Sequence, residues 1–89
     1  MSRTVWKHAL LPGNDLAVHG WPDIVHVGPA TPGEDAPAVW IEQDPASDEI
    51  VTIRVQVVGT GHPLPDGPSR HIGSAWCGAF MWHVYELLS

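Results

Sequence analysis

The segment Val51–Asp66 constrains the fold more than any other. Val51, Ile53, Val55 and Val57 alternate with Thr52, Arg54 and Gln56, the period-two pattern of a strand that buries one face. The alternation stops at Gly59-Thr60-Gly61-His62-Pro63-Leu64-Pro65-Asp66-Gly67-Pro68. Glycine reaches positive φ without a Cβ penalty, and proline locks φ while removing an N–H donor. This stretch therefore suits neither a helix nor a ladder. A half-buried strand followed by a stiff loop bearing a histidine indicates a β-domain with a shaped connection. It names no reaction.

The rest of the chain agrees with that class. Nine glycines and nine prolines are spread along 89 residues, leaving few intervals for a helix of ordinary length. Between them lie short runs rich in Val, Ile and Trp, which strands favour. Five strands are expected: Thr4–Leu10, Ile24–Val27, Ala38–Gln43, Glu49–Val58 and Ala79–Leu87, with weaker ones at Leu16–His19 and Ile72–Trp76. Ala79–Leu88 could also make a short helix, but its aromatic and β-branched content favours a strand. Turns are expected at Pro12–Asp15 and at Pro32–Asp35, a hairpin loop at Asp44–Asp48, and a tight turn or a bulge at Gly78. The pattern predicts one all-β domain, a small sandwich or partly open barrel of about six antiparallel strands. Its inner face should carry Val39, Ile41, Val51, Ile53, Val55, Val57, Phe80, Trp82 and Val84.

Charge narrows the partners. Four Lys and Arg stand against ten Asp and Glu, a formal net charge of −6. Nucleic-acid affinity rests on cationic neutralisation of phosphate, so nucleic acid is not expected as a partner, nor is an anionic membrane surface. Only 16% of residues are charged, which leaves much of the surface neutral and fits coverage by a partner or a second copy. Cys77 is the single cysteine, so no disulfide can form within the chain. The first residues hold no apolar run of signal-peptide length, and no segment approaches the roughly 20 apolar residues of a spanning helix. The expectation is a soluble cytoplasmic protein.

Chemistry-bearing residues are present without a reaction motif. His8, His19, His26, His62, His71 and His83 show neither helical i, i+4 spacing nor a Cys-x-x-Cys companion, so as metal ligands they are weak. Ser2, Ser47, Ser69, Ser74 and Ser89 lie outside any G-x-S-x-G context. Glu34, Asp35, Glu42, Asp44, Asp48 and Glu49 fall mainly in loops, where solvated turn residues are the rule. His62, flanked by Gly61 and Pro63, is held at low entropic cost. That suits either a contact site or a structural tie to a backbone carbonyl. Five tryptophans are many for this length; most are expected in the core or an interface, with Trp21 beside Pro22 partly exposed.

Thr4-Val5-Trp6-Lys7-His8-Ala9-Leu10, Val39-Trp40 followed by Asp44-Pro45, Val57-Val58-Gly59-Thr60-Gly61-His62-Pro63-Leu64-Pro65 and Trp82-His83-Val84-Tyr85-Glu86 occur in this order. In these segments the chain resembles a family of small uncharacterised proteins encoded mainly by tailed bacteriophages and prophages. The G-T-G-H-P segment is the most specific part. The resemblance implies a bacterial host cell as the setting and carries no activity, cofactor or catalytic residue.

These readings converge on a non-enzymatic protein that binds a host or phage protein, expected as a homo-oligomer and without a cofactor. The candidate contact residues are His62, Pro63, Leu64, Arg70 and Trp21. Two alternatives stand beside it: a binder or sponge for a nucleotide signal of host defence, and a metal-dependent hydrolase built on His62, His71 and acidic neighbours. The Gly59–Asp66 loop is expected to be ordered and to lie at one end of the domain. Gly61 should have positive φ or a close backbone neighbour. Pro63 and Pro65 should follow an extended path that exposes Leu64 or packs it onto Trp76.

Overall fold

A computed structural model describes residues 3–10, 15–33 and 35–88. Of the turn expected at Pro12–Asp15, residues 12–14 lie outside them, as do Ser2, Glu34 and Ser89. Seven strands form: β1 (Thr4–Ala9), β2 (Asp15–His19), β3 (Asp23–Pro29), β4 (Pro37–Gln43), β5 (Ile50–Gly59), β6 (Ser69–Cys77) and β7 (Phe80–Leu87). Every pairing is antiparallel. One sheet has the order β1-β4-β3 and the other β2-β5-β7-β6. The hairpin expected at Asp44–Asp48 does not form, because the strands either side of it, β4 and β5, belong to different sheets. Among the described residues there is no helix, and the sheets face each other as a sandwich rather than a closed barrel. The five clear strands of the sequence are all present, and the two weaker ones are full members as β2 and β6. The β-forming side chains of Ala79–Leu88 prevail over the helical alternative.

The core is a single aliphatic layer. Leu10, Leu16, Val18, Val39, Ile41, Ile53, Val55 and Val84 form it, with Val51, Val57, Ile24, Val27 and Ile72 packed at its margin. The molecule measures only 16 Å along its shortest axis, and stacked sheets sit about 10 Å apart. A gap that narrow suits Val, Ile and Leu, and it corrects the expectation for the tryptophans. None of the five is buried, and Trp6, Trp21 and Trp76 are exposed. Phe80 and Trp82, expected on the inner face, lie where β7 begins, beyond the end of the aliphatic layer. Phe80 is exposed and Trp82 only half-buried; of that trio Val84 alone reaches the core.

Gln43 is the one polar side chain of full burial among the described residues, and it ties the two sheets together. The His19 backbone N–H on β2 donates to its Oε1 at 2.9 Å. That fixes the amide orientation, so its Nε2 donates to His8 Nε2 on β1 at 3.1 Å. An amide nitrogen cannot accept, so His8 must present an unprotonated Nε2. Burial also holds the His8 imidazole below its ordinary value. His19 is fixed in turn by Nδ1–H donation to the Ser47 carbonyl at 3.1 Å.

The sheet order has a consequence for the G-T-G-H-P loop. β5 and β6 each run antiparallel to β7, which lies between them; they are therefore parallel to each other. Gly59 is level with Trp82, whereas Ser69 is level with Leu87. The chain must return the height of five strand residues, roughly 17 Å. The nine residues Thr60–Pro68 cover that distance even with turns at Gly61 and at Gly67, whose φ is +81°, since an extended chain spans up to about 3.3 Å per residue, and the missing proline N–H groups are no loss outside a ladder. The loop thus starts at one end, as expected, but does not stay there. It closes at the other, where the Leu88 N–H donates to the Pro68 carbonyl at 3.0 Å.

Two outcomes follow from the core. Gln43→Leu leaves the His19 N–H unpaired and should cost about 1–3 kcal/mol by chemical denaturation. Because the folded value of His8 is lowered, its contribution is complete above 6.5 and is lost as pH falls from there through the folded value. The stability difference between wild type and His8→Phe should shrink over that interval, measured by melting at stepped pH.

Candidate functional site

β6 and β7 join through a two-residue turn, Gly78-Ala79, between the paired Cys77 and Phe80. Gly78 has φ +61°, as the first central position of a type II′ hairpin requires. The turn pushes aromatic residues of both strands past the end of the core. Trp76 is 65% exposed and Phe80 52% exposed. With Met81, Trp82, Ala79, Gly59, Thr60 and His62 they line an open groove of about 460 Å³.

Its walls are fixed from behind. The Trp82 Nε1–H donates to the Asp35 carbonyl at 2.7 Å, and the Phe80 and Trp82 rings lie 5.8 Å apart at 40°. The Asp35 side chain occupies the space beside Gly78 that a Cβ would need. On the β5 side, the His62 N–H donates to the Gly59 carbonyl at 3.0 Å, closing a turn with Gly61 at φ +88°, the sign and size of a type II turn. The His62 ring folds back onto Gly59, where an added Cβ would come 2.8 Å from its Nδ1 and 3.2 Å from the Trp82 ring. Gly61 thus supplies the positive φ expected of it, and Gly59 the close approach.

The five candidate contact residues separate in space. His62, Pro63 and Leu64 stay together and border a second groove, of about 430 Å³, along Gln56–Val58. Leu64 points out at 61% exposure. Val58 is buried although Val57 is the neighbour that packs on the core; the returning loop runs beside it. Arg70 is far from this group. It sits at the start of β6, paired with Glu86 at 2.6 Å, and shares a small groove with Asp23 and Ile24. Trp21, 72% exposed, occupies the turn between β2 and β3 at φ +48°. Its carbonyl accepts from Arg3 Nη2 at 2.7 Å, which secures a backbone state rare for a bulky residue.

Trp76, Phe80 and Met81 are not among the expected contact residues, Trp76 being expected only as a surface for Leu64 and Phe80 on the inner face, although Gly78 with aromatics on both flanks is a usable hairpin signal. A second group, also missed, lies on the outer face of β6 and β7. His71 Nε2 is 2.9 Å from Ser74 Oγ, Ser74 Oγ is 2.7 Å from His83 Nδ1, and His83 Nε2 is 2.9 Å from Thr60 Oγ1. Residues 71 and 74 should point to opposite faces of a strand. A bulge between His71 and Gly73 supplies the extra residue that brings them to one face.

For a metal, the histidines do not converge. Among the described residues no group of three or more His, Cys, Asp or Glu is placed to hold an ion. Cys77 is buried, and its thiol is pushed up by that burial and by the Asp35 carboxylate, the opposite of an activated thiolate.

The whole chain, residues 1–89, matches the domain of unknown function DUF7352, and the protein belongs to that family. No curated protein and no solved structure matches it. No helix among the described residues is long and apolar enough to cross a membrane.

Gly61→Val should destabilise the fold by about 1–3 kcal/mol, because the left-handed conformation excludes a β-branched residue; denaturant titration measures it. Cys77 should resist iodoacetamide in the native protein and react at once in denaturant, read by intact mass.

Proposed function

We propose that this DUF7352 protein is a binding protein whose contact surface is the aromatic groove at the β6–β7 hairpin, and that its partner is a protein presenting an apolar side chain. One observation carries the reading: Trp76 and Phe80 stand exposed at a groove whose other walls, Trp82 and His62, are held by Asp35 and Gly59. Exposed aromatics on a pre-organised surface lose little entropy on binding and dominate contact energies. No Lys or Arg is among the described residues that line the groove, which favours an uncharged partner group. The resemblance to phage-encoded proteins supports a host or phage protein as that partner, inside a bacterial cell, and a second copy of the chain is the homo-oligomeric version of the same contact.

Affinity capture from infected-cell lysate, compared between wild type and Trp76→Ser/Phe80→Ser, tests it. At least one captured protein should be depleted more than about tenfold by the double variant, the loss expected of hot-spot aromatics. If a folded double variant retains every protein equally, and sediments like wild type, the reading fails.

The groove volume, about 460 Å³, also lies within the range of small-molecule sites, and its ring faces could stack on a nucleobase. A nucleotide-signal binder is the second reading. It has electrostatics against it: Arg70 is paired with Glu86 at the far end of β6, and Arg54 lies beside Asp15. A thermal-shift screen with nucleotides should raise the melting temperature if it holds; a flat response removes it.

A further inference from the structure

His71, Ser74 and His83 on the outer face of β6 and β7, with Thr60 in the turn after β5, form a chain with one sense. Thr60 Oγ1 donates to the Met81 carbonyl at 3.4 Å, so at 2.9 Å it accepts from His83 Nε2–H. With Nε2 protonated, neutral His83 has a bare Nδ1, which accepts the Ser74 hydroxyl proton at 2.7 Å. Ser74 Oγ then accepts from His71 Nε2–H at 2.9 Å. A hydroxyl, a base within hydrogen-bond reach and a group orienting that base are the elements of an activated nucleophile.

The surroundings suit an acyl substrate. Ser74 is exposed and sits on the rim of a groove of about 340 Å³ between β3 and β6, lined by Ile24, Val25, His26, Val27, Ile72 and Gly73. Gly73 is required there, since a Cβ would come 2.9 Å from Val27 Cγ2. β6 is the outer strand of its sheet, so N–H groups on its far edge are not used by β7. The His71 Nε2–H adds a side-chain donor at the nucleophile.

We propose that Ser74 is a nucleophile activated by His83 and accepts acyl groups from small activated esters. Ser74 Oγ bonds to the ester carbonyl carbon, and the carbonyl π pair moves onto oxygen, where His71 Nε2–H and edge amides can donate to it. The hydroxyl proton passes to His83 Nδ1. Collapse breaks the bond to the leaving oxygen, which takes that proton and departs as the alcohol or phenol. Water, deprotonated by the same imidazole, then hydrolyses the acyl-serine. Thr60 is a positioning residue that holds the His83 tautomer.

The test uses the full chain with p-nitrophenyl acetate and with a fluorophosphonate probe, which loses fluoride on reaction. Peptide mapping should place the adduct on Ser74, with Ser47 and Ser69 as internal controls. His83→Gln should slow labelling by roughly 100-fold, the scale of general-base assistance. Thr60→Val should slow it several-fold, and Thr60→Ser should restore it. The proposal is overturned if Ser74 in wild type labels no faster than Ser69, or if His83→Gln labels as fast as wild type. Should His83→Gln lower the melting temperature, wild-type labelling of Ser74 against Ser69 still decides.

Discussion

The narrow gap between two sheets is the constraint on which the rest of this protein depends. A molecule 16 Å thick has room for one layer of Val, Ile and Leu between its sheets, and that layer is complete without an aromatic. The tryptophans therefore take positions at edges and ends, each against a specific neighbour or solvent. Trp6 meets His19 edge-on, Trp40 packs on His26, and Trp82 is tied to Asp35. Trp76 and Trp21 remain exposed. In a thicker domain such side chains would be the core. Here the same apolar content becomes surface, which is why so small and weakly charged a chain has a groove to offer.

Polar groups hold this thin layer in register. Gln43 gives up both ends of its amide to two different sheets, so its burial is compensated and its geometry is specific. The sheet order β2-β5-β7-β6 in turn obliges the chain after β5 to travel back before β6 can begin. The proline-rich segment is the physical answer to that demand, and His62 marks where the return begins. The loop is thus the product of a topological requirement, and at its start Thr60 and His62 add a wall to the groove that the β6–β7 hairpin builds.

The sequence alone determined the class of the molecule. Period-two alternation in Val51–Val57 and frequent Gly/Pro breaks leave only short strands, and local propensity suffices to place them. Gly61 was legible for the same reason, since a glycine between a strand end and a proline run serves a turn. The tertiary structure decided what the strands assemble. Alternation cannot say that a second sheet lies too close for Trp82 and Phe80 to enter, because sheet separation is set by all the facing side chains together. It also placed Arg70 and Trp21 away from His62, since strand order is not encoded in any one strand. Most of all, His71 and Ser74, three residues apart, share a face with His83 only because β6 bulges between residues 71 and 73. A bulge shifts register by one residue, and in a structure of period two that single residue reverses which side chains can meet.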